Sequence, residues 1–144
     1  MRKHILTFAL VAMCSVTGFS QSVTGKWKTF DDKTKEAKSI VEIKEVNGKL
    51  EGTVIEVLNP AKKNSTWTEC KGANKGKKIE GLTIIKNMKK DGSEYADGTI
   101  LDPQNGKEYS CIIKVNAKDA NKLDVRGYVG ISLAGRTQTW TRIK

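Results

Sequence analysis

Ser39-Ile40-Val41-Glu42-Ile43-Lys44-Glu45-Val46-Asn47-Gly48-Lys49-Leu50-Glu51-Gly52-Thr53-Val54-Ile55-Glu56-Val57-Leu58 reads as two strands joined by a two-residue turn. Asn47-Gly48 decides the reading. Both central residues of a type I′ turn need positive φ, which Asn and Gly accept most readily. The flanks are rich in Ile and Val, the residues that suit a pleated, half-buried surface. Leu50, Gly52, Val54 and Leu58 take one side of the second flank. Ile55 and Val57 fall on the other, which predicts a second apolar layer, under a loop or against a partner.

Working outward, the same pattern recurs. Residues 25–30 form a first strand, turned by Asp31-Asp32-Lys33. Residues 82–89 and 95–101 flank an Asp91-Gly92 turn. Asp102-Pro103-Gln104-Asn105-Gly106 is a further turn, its backbone set by Pro and Gly. Residues 107–115, 122–129 and 136–143 complete about eight strands, the spacing of an all-β sandwich or barrel. Helix-period signals are almost absent. Regular sequential hairpins favour an up-and-down antiparallel β-barrel over a Greek key, and closure removes exposed sheet edges. Alternation gives each strand one buried face. Tyr109, Cys111, Ile113 and Val115 share a side, and Leu123, Val125, Gly127 and Val129 share another. One long connection, residues 59–80, interrupts the meander. Asn59-Pro60 suits the start of a short helix, expected over residues 60–64. A connection this long is often functional.

The N-terminus reads as an address. Arg2, Lys3 and His4 precede the apolar run 5–13, and Gly18-Phe19-Ser20 offers small residues at the positions a signal peptidase reads. Residues 1–20 are therefore expected to be a signal peptide, and 21–144 a single domain, periplasmic or secreted. Lipidation at Cys14 is the alternative, opposed by Met13 where a lipobox wants Gly, Ala or Ser. The chain is 144 residues long with 26 Lys+Arg, 16 Asp+Glu and a formal charge of +10. Loss of Arg2 and Lys3 leaves 24 bases against the same 16 acids, a formal +8. The only histidine, His4, would leave too. Without it no Ser–His–Asp or Cys–His site and no His-ligated metal centre can be built. No metal site, cofactor or catalytic constellation is expected. No later stretch is long and apolar enough to span a membrane as a helix.

The remaining candidates each have a bland counterpart. Arg126 and Tyr128, then Arg136, Gln138 and Trp140, bring forked donors, a phenol, an amide and an indole to the last two strands. An Arg-x-Tyr on a late strand resembles the carboxylate clamp of intracellular lipid-binding barrels. Parity nevertheless sets Arg126 and Tyr128 opposite Leu123 and Val125, on the solvent side. Arg136, Gln138 and Trp140 share one face and suit a lumen. Cys70 and Cys111 either pair, as cysteines of small exported domains do, or leave Cys70 a reactive thiol among lysines. The lysines of residues 62–78 could meet an anionic envelope component or partner protein. Dispersed lysines and sparse aromatics argue against a stacking platform for nucleic acid. A +8 surface would also repel a basic lysozyme. Asp31-Asp32 and Asp97/Asp102 read as turn carboxylates.

The most specific stretches come late in the chain. They are Asp102-Pro103-Gln104-Asn105-Gly106-Lys107-Glu108-Tyr109, then Val125-Arg126-Gly127-Tyr128-Val129-Gly130 running into Gly135-Arg136-Thr137-Gln138-Thr139-Trp140-x-Arg142. With Gly25-Lys26-Trp27 and Gly48-Lys49-Leu50-Glu51-Gly52, they make residues 25–142 resemble the domain-of-unknown-function 2147 family. The resemblance implies an exported bacterial domain with a lipocalin-like barrel, and no established activity. In lipocalin-like barrels a Gly-x-Trp on the first strand closes one end under an Arg from the last. Here that implies Gly25, Trp27 and Arg142, joined by cation–π contact. Relatives often carry Cys-x-x-Cys in the long loop. Trp67 replaces the first cysteine, so the resemblance implies Cys111 as the partner left to Cys70. Two functions follow as expectations. One is a non-enzymatic binding protein for a small apolar or amphipathic ligand. The other is a surface module for an anionic partner.

Overall fold

The structure, a computed structural model, describes residues 22–59, 78–103, 105–130 and 135–144. Eight antiparallel strands form a closed barrel in sequence order: β1 (Gly25–Phe30), β2 (Ala37–Val46), β3 (Lys49–Val57), β4 (Thr83–Asp91), β5 (Glu94–Leu101), β6 (Glu108–Val115), β7 (Lys122–Tyr128) and β8 (Arg136–Arg142). The up-and-down topology expected from the turn spacing is the observed one. Asn47 and Gly48 have φ of 53° and 78°, as a type I′ turn requires.

The apolar conflict on β3 resolves through the backbone. Ile40 opposes Glu56 while Val41 opposes Val54, so Ile55 is an extra residue in a β-bulge. The bulge resets the alternation. Val57 therefore turns inward beside Val54, and both are buried. The predicted second apolar layer is not needed to account for Val57. Further register breaks at Asn87 and Asp97, both with positive φ, bend β4 and β5.

The two ends of the barrel differ. Trp27, Leu50, Met88, Ile113 and Leu123 fill one end and are buried to 1% exposure or less. The C-terminal ends of β1, β3, β5 and β7 lie at the other end, here called the mouth. β8 closes against β1 by the short register Trp27↔Arg142 and Lys28↔Thr141, extended by the Ile143 amide on the Lys26 carbonyl. Those pairs lie at the packed end. Towards the mouth, side chains span the seam.

Candidate functional site: a cavity at the barrel mouth

The packed end is a plug built on the first strand. The Trp27 indole N–H donates to the Val23 carbonyl at 2.9 Å. The Arg142 guanidinium carbon lies 4.2 Å from the ring centroid. Its Nη2 donates to the Ser22 carbonyl at 2.7 Å, and its Nη1 contacts the Thr24 carbonyl at 3.4 Å. Gly25, with φ of 129°, starts the strand beside it. The structure thus brings Gly25, Trp27 and Arg142 together. The arrangement covers an aromatic face with a cation, worth about 0.5–2 kcal/mol depending on desolvation.

Above that plug the barrel is hollow. A cavity of about 650 Å³ opens at the mouth. Val54, Val57, Ile84, Ile100, Val125 and Trp140 supply much of its apolar wall. The mouth stays hollow because small or polar residues point inward there: Thr29, Ser39 and Gly127 take positions that large side chains fill lower down.

Three of the five expected ligand residues share this wall. Gln138 opposes inward Val125, and Trp140 opposes inward Leu123, so alternation turns Arg136, Gln138 and Trp140 to the lumen side. The Trp140 indole N–H donates to Gln138 Oε1 at 3.2 Å. Gln138 Nε2 donates to Asp32 Oδ2 at 3.0 Å, and Arg136 Nη2 meets the same oxygen at 2.7 Å. One carboxylate from the β1–β2 turn therefore ties two residues of β8 across the seam. Tyr128, the last residue of β7, joins the rim of the cavity. Arg126 does not line it. Its Nη1 donates to Thr137 Oγ1 at 3.0 Å on the outer face of the β7–β8 pair.

Two features of the cavity escaped the sequence reading. Asp32 was assigned only to a turn. Its role needs the approach of β8, about a hundred residues away, and no local signal announces that. The second is a pair of buried hydroxyls, Thr29 Oγ1 and Ser39 Oγ, 2.6 Å apart on the cavity wall. Parity could have found these, since Thr29 alternates with Trp27 and Ser39 with Val41. The neighbouring Asp31 is a turn carboxylate, as expected. Backbone N–H groups of Thr34 and Lys33 donate to it and hold its pKa below the usual carboxylate range.

Cys111 is a free thiol inside the barrel, fully buried, its pKa pushed up to about 12 by burial. It is protonated at any neutral pH and has no nucleophilic character there. Cys70, its expected partner, lies outside the described residues. So do Trp67, the short helix at 60–64, and the lysines of the long connection before Lys78. No group of His, Cys, Asp and Glu able to hold a metal occurs among the described residues. Among the described residues no helix is long and apolar enough to cross a membrane.

Comparison with known proteins bears on this geometry. The family described as "Uncharacterized protein conserved in bacteria (DUF2147)" matches residues 25–142. The chain belongs to the DUF2147 family. The matched segment begins at Gly25 and ends at Arg142, the two ends of the closure plug. A solved structure with a similar fold is protein HP1028 from Helicobacter pylori, described as belonging to the lipocalin family. It has a TM-score of 0.74 and 21% sequence identity, over 85% of this chain and 84% of that one. This DUF2147 barrel is thus lipocalin-like in fold. No curated protein matches the chain.

Proposed function

We propose that this DUF2147 barrel is an exported, non-enzymatic binding protein that holds one small apolar or amphipathic molecule in its mouth-end cavity. The observation that carries this reading is the cavity itself. An eight-stranded barrel is just wide enough either to be filled by its own side chains or to hold one small ligand. A lumen packed solid would have removed the reading. Instead about 650 Å³ stays empty over an apolar floor, within the 300–1,000 Å³ range typical of ligand sites. Polar groups ring the lip, and Thr29 and Ser39 are the buried ones among the described residues. Export to the periplasm or beyond rests on the signal-like residues 1–20, and an envelope location would expose the barrel to lipids and other amphiphiles.

The test uses N-phenyl-1-naphthylamine, a neutral apolar dye that brightens out of water. The chain from residue 21 should bind it saturably. Val57→Trp should fill the mouth, because the bulge at Ile55 aims position 57 inward. Dye affinity is then expected to fall about tenfold or more, a difference of roughly 1.4 kcal/mol, with the urea midpoint near that of the parent. Equal dye binding by parent and variant would contradict the assignment.

A further inference from the structure

The wall of the cavity specifies what the polar end of a ligand can be. The charged groups of the mouth stand at its turns and lip. Asp32 is shared by Arg136 and Gln138. Asp31 accepts two N–H bonds of its own turn. Asp102 sits in the turn after β5, where its amide bonds the Lys107 carbonyl. Lys38 and Glu36 line the cavity only at its lip, Lys38 half-buried and Glu36 exposed, so both keep water. Among the described residues none of these charges is buried, so a charged head drawn down to the apolar wall would leave them behind at the lip. A carboxylate or ammonium taken from water without a partner meets a large desolvation penalty.

The hydroxyl pair is different. Thr29 and Ser39 face each other across β1 and β2, are 5% and 8% exposed, and both line the cavity. Two hydroxyls carry two protons, and their mutual bond uses one. No other side-chain hydrogen bond among the described residues reaches either oxygen. The pair therefore keeps one donor and spare lone pairs at the buried polar position of the wall.

We propose that the Thr29–Ser39 hydroxyl pair is the polar anchor of the cavity, and that the site selects an amphiphile with an uncharged hydroxyl or carbonyl head over a carboxylate or an ammonium. This deepens the binding role proposed above and rests on it. The neutral head accepts the free hydroxyl proton and, if it is an alcohol, donates back. The alkyl part lies against Val54, Ile84 and Val125. The net basic charge of the chain plays no part in this selection, because the anchor is uncharged.

The experiment is displacement of N-phenyl-1-naphthylamine by decanol below its solubility limit and by decanoate and decyltrimethylammonium below their micelle thresholds. Decanol should displace the dye at about a tenfold lower concentration than either ion, the step one good hydrogen bond plus avoided desolvation supplies. The double variant Thr29→Val with Ser39→Ala removes both hydroxyls and orphans neither, so the fold should hold. Measured against its own dye affinity, it should lose the preference for decanol over the two ions. Decanoate or the ammonium matching decanol would overturn the proposal, as would a preference that survives the double variant. Failure of the parent to bind the dye at all would instead remove the binding role itself.

Discussion

Trp27→Ala is expected to cost about 3–5 kcal/mol of stability, the range for deleting a large buried aromatic. The indole is fully buried and carries a hydrogen bond to Val23. Its loss opens a void at the base of the barrel and strips the Arg142 guanidinium of the ring it covers. Domains of this size have about 5–15 kcal/mol in total, so the variant should be near unfolding at ambient temperature. Urea denaturation checks this directly. Trp27→Phe, which keeps a ring and loses the N–H, should fall between the two. A loss under about 1 kcal/mol for Trp27→Ala would mean that the plug does not hold the seam.

Gly98→Ala is expected to cost about 3 kcal/mol through overpacking. Cα–H at position 98 faces the backbone of β4. An added Cβ would press on the Lys86 carbonyl oxygen and Met88 Sδ, and would lie 2.8 Å from the Met88 amide nitrogen. Two of those three atoms belong to the backbone, so the clash cannot be relieved by a rotamer change. The β4–β5 pairing must open. Gly48→Ala offers the contrast, because a Cβ there meets nothing within 4 Å and only the positive φ opposes it. Its cost should be nearer 1 kcal/mol. Equal midpoints for the two variants would contradict the close approach at Gly98.

Much of the fold was legible in the sequence because its elements are local. Asn47-Gly48 fixes a hairpin within four residues, and period-two alternation at 109–115 and 123–127 assigns inner faces without tertiary knowledge, whereas Val129, expected on the same face, lies past the end of β7 and is 68% exposed. Ile55 was misleading for a physical reason. A bulge adds one backbone residue, and side-chain alternation then continues out of phase, which no residue type at 54–57 declares. The site was legible by halves. Parity puts Arg136, Gln138 and Trp140 on one face of β8, but whether that face looks inward is set by the register against Val125 and Leu123. Arg126 follows the same parity outward to Thr137. Asp32 could not be found, since its partners come from β8 and its local context is a turn. The hollow itself was equally hidden. Whether a barrel is empty at one end depends on the summed volumes of side chains from eight strands, and residues such as Thr29 and Ser39 look unremarkable one at a time.

Methyl-resolved nuclear magnetic resonance of the chain from residue 21, titrated with N-phenyl-1-naphthylamine, tests the central claim most directly. A barrel hollow at its mouth and solid at its base predicts shifts in the methyls of Val54, Val57, Ile84 and Val125, with Leu50, Ile113 and Leu123 unmoved. Shifts confined to outward-facing methyls, or perturbation of the packed base, would contradict it.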